Sequence, residues 1–303
     1  MKIIVTGGTG FIGGAILARL REHRHHLVVL TRRPERSAGL LLEGLTIAPW
    51  DGKTAGAWAQ HVESADAIIN FAGEPLNARR WSAAQKERII RSRVDAATAL
   101  HLAVAQATVK PTLVINASAV GYYGDVPDGE VSEIAPPGKG FLAETCVRWE
   151  EAAQSILGSS GRVVTLRSGV VLARDGGALR RMLIPFLLFA GGPIGSGRQW
   201  FPWVHREDLI RVITFLLEHR EVSGPLNVVA PESVTMETFA STLGVVLRRP
   251  SYLRVPAFGL KLLLGEMAEM LLTGQRVVPA KLRAIGFSFK FPSLVPALKN
   301  ILR

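Results

Sequence analysis

The sequence predicts an α/β fold, a doubly wound parallel sheet beside a smaller, mostly helical unit. Three observations carry this. In the first half, short apolar runs alternate with longer helical stretches, the rhythm of strand–helix–strand crossovers. Those runs are dense in Val, Ile and Leu without polar alternation, as in strands covered on both faces. A glycine-rich turn follows the first run directly.

Taken in order, strands are expected at residues 3–6, 27–31, 46–48, 67–70, 112–118 and 162–168. Helices are expected at 11–22, 55–61, 83–107 and 141–157. The second half changes character. Helical patterns at 179–190, 207–219, 236–247, 257–273 and 294–302 are joined by Pro- and Gly-containing loops, with one further strand at 226–230. The 303 residues therefore read as a nucleotide domain, 1–175 with returning elements near 200–230, and a smaller substrate domain, 176–303.

Composition removes other classes. Hydrophobic residues at 48% and charged residues at 20% exclude disorder. The one cysteine, Cys146, cannot form an internal disulfide, and the start MKIIVTGGTGFIGG does not read as a signal peptide. The longest apolar stretches are interrupted by Pro185 or by Lys261, Glu266 and Glu269, short of the ~20 residues a span needs. A cytoplasmic location is the expectation. Of the +11 charge, +8 lies in residues 248–303, with ten basic residues against two acids. A basic segment attracts phosphate ligands, nucleic acid or an anionic membrane surface. Here the cations are spaced among Leu, Val and Phe, so a solvated face is the plainer reading and nucleic acid is not favoured.

The turn GGTGFIG places Gly7, Gly10 and Gly13 between a strand and a helix. Such a turn must bend sharply, let the backbone approach a pyrophosphate and pack the helix on the strand. Backbone N–H groups of Thr9, Phe11 and Ile12 and the positive end of the helix dipole then hold the anion. This is the Rossmann-type dinucleotide signature in its confirming context. The second strand ends in Thr31-Arg32-Arg33, with no carboxylate for a ribose 2′-hydroxyl. Guanidinium groups pair with a 2′-phosphate, so NADP(H) fits better than NAD(H). Asp51 is expected near the adenine, and Phe71, Ala72 and Gly73 near the adenosine side.

With NFAG at 70–73 and NASAVGYYG at 116–124, the chain resembles an extended short-chain dehydrogenase/reductase. More narrowly it resembles the atypical YfcH-like "epimerase family" group, through RRWSAAQKERIIRSRV (79–94), PPGKGFLAETCVRWEEAA (136–153), LRSGVVLARDGGAL (166–179) and FPWVHREDL (201–209). Residues 250–302 resemble that group's small C-terminal domain. The resemblance implies an NADP(H)-dependent oxidoreductase or isomerase with a small carbonyl or alcohol substrate. It adds Ser92, Arg93, Ser118 and Gly169 to the cofactor site.

Catalytic relatives use a Tyr-x-x-x-Lys pair, and this chain has none. With Glu150 as landmark, Leu142 takes the tyrosine slot and Cys146 the lysine slot. Ser118, matched to the family's Ser/Thr position, Tyr123, His205 and Cys146 remain as catalytic candidates. Each has a plainer alternative: a strand-end serine, a packed tyrosine, a hydrogen-bonded histidine, a buried thiol. Arg167 is read either as an anion contact or as half of a structural ion pair, and Asp208 as a first-turn carboxylate. The Pro/Gly-rich stretch 124–140 reads as a lid whose acids form a solvated edge. Two functions stay open, an NADP(H)-dependent enzyme and a non-catalytic NADP(H)-binding regulatory protein. Oligomeric state and substrate are not fixed by sequence, and a homo-oligomer stays open.

Overall fold

The computed structural model describes residues 1–35 and 44–303. The first part of the chain forms β1 (Lys2–Thr6), α1 (Gly13–Glu22), β2 (His26–Thr31), β3 (Leu45–Pro49), β4 (Ala67–Asn70), α2 (Ala83–Gln106), β5 (Leu113–Ala119), β6 (Val126–Val131), α3 (Phe141–Ser155), β7 (Arg162–Ser168) and β8 (Val170–Leu172). There follow α4 (Gly177–Leu187), β9 (Trp203–His205), α5 (Arg206–Glu218), β10 (Gly224–Val228), α6 (Met236–Leu247), α7 (Ala257–Leu264), α8 (Glu269–Leu272), β11 (Gln275–Val277), α9 (Ala280–Ala284) and α10 (Leu294–Leu302).

Seven strands make one parallel sheet in the order β10-β7-β5-β4-β1-β2-β3. The chain runs outward from β1 to β3, then returns to β4 on the other side of β1. The β1/β4 boundary is therefore the switch point where such sheets bind ligands, beyond the C-terminal strand ends. Period-two geometry sends alternate residues to opposite faces. Ile3, Val5, Leu27 and Val29 pack with Ile16, Leu17 and Leu20 of α1 and Leu209 and Ile213 of α5. Ile4, Val28, Leu30 and Ile68 pack with Ala96, Ala97, Leu100 and Ala103 of α2. Two covered faces explain the unbroken apolar runs, and each fully buried Ile or Leu contributes roughly 2 kcal/mol.

A third core joins Leu179, Leu183 and Phe186 of α4 to Phe239 and Leu243 of α6 and to Leu298 and Ile301 of α10. Asp208 links it to the sheet. Its carboxylate is fully buried and accepts the N–H groups of Lys290 at 2.7 Å and Phe291 at 2.8 Å. Asp208 does lie in the first turn of α5, and Arg211 one turn on pairs with it at 3.4 Å, but its two N–H donors are on the C-terminal segment, which a single-helix reading could not supply.

Several expectations change. Helix 11–22 begins only at Gly13, because the glycine turn occupies the residues before it. Residues 57–62 form a 3₁₀ helix. Helix 257–273 breaks at Gly265, which takes a left-handed φ of 62°. The 124–140 stretch is not an open lid: β6 pairs in parallel with β11, and Val131 and Glu133 are buried. Pro127 and Gly129 hide β6 in the sequence, and three-residue β11 is too short to show a period. Replacing Asp208 by Ala strands two buried N–H groups, so urea unfolding should show a loss of about 3 kcal/mol. An unchanged midpoint contradicts the clamp.

Candidate functional site

At the end of β1 the backbone is packed against itself. Gly7 has a φ of 67°, and a Cβ there would sit 2.4 Å from the Phe71 carbonyl oxygen. A Cβ on Gly13 would sit 2.1 Å from the Gly7 carbonyl oxygen. Gly10 closes the turn by donating its N–H to Gly7 O at 3.0 Å. No side chain caps α1; the Gly14 N–H donates to Gly10 O at 2.9 Å, and the positive end of the helix dipole faces the turn. Thr9, Phe11 and Ile12 lie on this turn. The Phe11 ring is wedged against Gly176 and Gly177, whose added Cβ atoms would come within 2.5 and 2.8 Å of it.

Next along the strand ends, the Thr31 hydroxyl accepts the Arg33 N–H at 3.2 Å. Arg32 and Arg33 are exposed there. Asp51 accepts N–H groups from Lys53 and Thr54 at 2.8 and 2.9 Å. The Thr54 and Lys53 N–H groups hold its carboxyl below the ordinary range, so the side chain organises its own turn. Behind β4 a buried ladder crosses three strands: Thr6 Oγ1 donates to Asn70 Oδ1, and Asn70 Nδ2 to Asn116 Oδ1, both at 2.6 Å. The Ala72 N–H turns back onto Thr6 Oγ1 at 3.2 Å, which fixes the Phe71–Gly73 backbone.

Arg93 rises from α2 beneath Gly73, whose added Cβ would touch its guanidinium at 3.1 Å. Nη1 donates to the carbonyls of Ile89 and Glu74 at 2.9 and 3.1 Å, while Nε is buried without a hydrogen-bond partner among the described residues. Burial pulls this guanidinium down to about 10. Ser92 beside it accepts the Glu74 N–H at 2.8 Å. Gly169 admits close backbone contact, since a Cβ would lie 2.7 Å from the Pro202 carbonyl oxygen.

Of the four catalytic candidates, Ser118, Tyr123 and Cys146 gather around Glu150 and Arg167, and His205 lies apart. Ser118 donates to Glu150 Oε1 at 2.6 Å. Arg167 grips the same carboxylate in two places, Nε to Oε1 at 2.9 Å and Nη2 to Oε2 at 2.8 Å. Arg167 Nη1 also donates to the Tyr123 hydroxyl at 3.0 Å, and Tyr123 donates to Asn227 Oδ1 at 2.6 Å. Burial opposes the charged form of Arg167, and its bonds to Glu150 and Tyr123 overcome this, holding it above the ordinary arginine range. Glu133 completes the network by accepting the N–H groups of Asn227 and Lys281. Arg167 is thus a structural ion-pair partner, and Glu133 is interior and not part of a solvated edge. Burial pushes the Tyr123 hydroxyl up to about 12.

Cys146 is buried, its thiol pushed up to about 11 chiefly by burial, with the nearby Glu150 charge adding to it. His205 caps α5 by accepting the Glu207 N–H on Nδ1 at 3.0 Å and stacks on Phe291 at 3.9 Å. Burial lowers its pKa against the opposing charges of Asp208 and Glu207, so the ring is neutral near pH 7. It lines a cavity of about 920 Å³ with Thr9, Phe11, Arg174, Arg206 and Asn300. Neither Glu207 nor Phe291 belongs to the Ser118 network. Sequence reading took Glu150 only as a landmark and missed Asn227. The one signal for Asn227 was an amide inside the apolar strand LNVVA.

A model of the NAD dependent epimerase/dehydratase family matches residues 3–229, and a domain of unknown function (DUF1731) matches 255–301. The chain belongs to the NAD dependent epimerase/dehydratase family. It is 40% identical over 309 residues to the chloroplastic epimerase family protein SDR39U1 homolog of Arabidopsis thaliana, covering all of this chain and 87% of that protein. Over 312 residues it is 39% identical to epimerase family protein SDR39U1 of Mus musculus, with both chains fully covered. The crystal structure of human epimerase family protein SDR39U1 (isoform2) with NADPH matches with a TM-score of 0.90 at 38% identity, over 99% of each chain. UDP-glucose 4-epimerase of Thermotoga maritima matches at 0.81 with 16% identity over 99% of this chain and 97% of that one, a likeness of fold alone.

The raised Cys146 thiol makes native stability depend on pH. In the unfolded chain it ionises near its ordinary 9.0, in the native state near 11. The folded form then holds the extra proton, so native stability conferred below pH 9 is lost as pH rises from 9 to 11. Wild type should therefore lose stability over that window relative to Cys146→Ala, by denaturant titration at each pH. Parallel curves contradict the buried neutral thiol.

Proposed function

We propose that the chain binds NADP(H) at the β1/β4 switch point and uses it on a small carbonyl or alcohol substrate, as an atypical oxidoreductase or isomerase. The observation that carries the reading is the glycine turn, where added Cβ atoms at Gly7 and Gly13 would collide with backbone oxygens. That closeness serves a pyrophosphate resting on the turn. The residues fit the whole coenzyme. Gly7, Gly10 and Gly13, with the backbone of Thr9, Phe11 and Ile12, would hold the diphosphate. Thr31, Arg32 and Arg33 would receive a 2′-phosphate in place of the missing carboxylate. Asp51 and Phe71–Gly73 would flank the adenosine. The buried Arg93 Nε, unpartnered among the described residues and with Ser92 beside it, supplies a donor next to the same backbone. The human relative crystallised with NADPH supports this assignment.

When bound, the nicotinamide supplies or accepts a hydride. The chain's own residues must then move the proton without a Tyr-x-x-x-Lys pair. Ser118 is the group best suited to do so: its hydroxyl donates to Glu150 at 2.6 Å, so a substrate hydroxyl would give its proton to Ser118 Oγ as the Ser118 proton passes to the Glu150 carboxylate, and carbonyl reduction would run the same relay in reverse. Gly169 lets the backbone after β7 close beside it. Tyr123 and Cys146, held neutral by burial, serve as walls, and neutral His205 fixes the start of α5.

One observation favours a second reading, a non-catalytic NADP(H)-binding regulatory protein. The Ser118 and Tyr123 hydroxyls each donate to a partner within the protein. NADPH turnover in a carbonyl screen supports the first reading, and tight binding without turnover the second. For both, calorimetric titration should show NADPH binding tighter than NADH. Arg32→Ala should weaken NADPH about tenfold or more and leave NADH unchanged. Equal affinity for the two coenzymes, with the variant unaffected, overturns the assignment.

A further inference from the structure

We propose that the face formed by the C-terminal half of α4, the segment 250–255 and α7 docks on an anionic lipid surface. Arg180, Ile184 and Leu187 of α4 and Leu188, which caps it, share one stripe at helical spacing, and all four are exposed, Leu188 at 71%. No residue of α7 is buried. Its Phe258 and Leu262 stand one turn apart, exposed at 75% and 79%, with Lys261 beside them.

These two helices are parts of one surface. Leu253 donates its N–H to Gly191 O at 3.1 Å and Val255 to Pro193 O at 2.9 Å. The chain leaving α4 is thereby zipped to the chain entering α7, and exposed Tyr252 and Leu253 lie along the seam. Arg249 sets its guanidinium 4.3 Å from the centre of the exposed Phe189 ring. Phe189 takes a left-handed backbone, φ 59°, where it ends α4: its N–H donates to Phe186 O at 3.0 Å and the Ala190 N–H to Pro185 O at 2.8 Å.

Charge selects the occupant. Arg180, Arg181 and Lys261 are exposed on the same two helices as the apolar residues. Two acids nearby are engaged, Glu237 by Arg254 and Glu266 by Lys86, and exposed Glu269 is outnumbered by the cations. A second copy paired by two-fold symmetry would set this cationic fringe against itself. A nucleic-acid strand would leave the leucines in water. An anionic bilayer satisfies both features, with aliphatic and aromatic side chains at the acyl boundary and cations at the headgroup phosphates. No helix among the described residues is long and apolar enough to cross a membrane, so the association is with one leaflet.

The test is flotation of the full chain with phosphatidylcholine vesicles containing about a third phosphatidylglycerol, against pure phosphatidylcholine. Binding is expected on the anionic vesicles at low salt, with little on neutral ones and loss at high salt. Leu188→Asp with Leu262→Asp should reduce bound protein at least about tenfold. Arg180→Ala with Lys261→Ala, a change confined to exposed side chains, should do so by about tenfold. Both variants are checked for unchanged circular dichroism and NADPH affinity. Equal uptake by neutral vesicles, or none by anionic ones, overturns the proposal. So does a solution dimer that the Asp substitutions convert to monomer, which would assign the face to a second copy.

Discussion

Close backbone packing at the end of β1 is the constraint that sets the remaining geometry. Three chain segments meet there: the β1 exit at Gly7, the α1 entry at Gly13 and the β4 exit at Phe71. Glycine in such positions costs roughly 0.5–1 kcal/mol each in lost chain entropy. The burial of Ile16, Leu17 and Leu20 between α1 and the sheet offsets it. The outcome is a helix whose uncapped N-terminus points at the one place where the strand order reverses. The Thr6–Asn70–Asn116 ladder then holds the neighbouring strand ends in register, so the cradle is supported from below by buried amides and not by loops.

The chain carries Leu142 and Cys146 in the slots of the family's tyrosine and lysine, and a buried ion pair lies close by. Glu150 and Arg167 bind bidentately in the interior, with side-chain exposures of 13% and 4%. Removing one partner of such a pair leaves an uncompensated buried charge, at a cost of about 3–5 kcal/mol. Through Tyr123, Asn227 and Glu133 the pair ties β5, β7, β10 and α3 to the segment before α9. The region around Ser118 is thus built for rigidity. On the proposed reading, proton movement there would run through Ser118 or the substrate itself.

Much of this was legible in the sequence because it is local. The glycine spacing and the apolar runs each declare their place in the fold within a few residues. What was not legible is contact at long range. Asp208 reads as a helix-start carboxylate, yet its two N–H donors are 82 and 83 residues away. Tyr123 and Asn227, 104 residues apart, carry no mutual signal. Glu133, in a stretch rich in Pro and Gly, looks solvated until β6 is seen to pair with β11. The missing dyad was legible, because absence of a motif can be counted; the network close by could not be.

Everything at the cradle turns on Gly13 lacking a side chain, so that α1 can approach Gly7 and present its N–H groups to a diphosphate. The decisive measurement is calorimetric titration of Gly13→Ala with NADPH, alongside circular dichroism. Native-like helix content is expected, with NADPH affinity weakened at least about a hundredfold. A folded variant that binds NADPH as tightly as wild type would contradict this origin of the site.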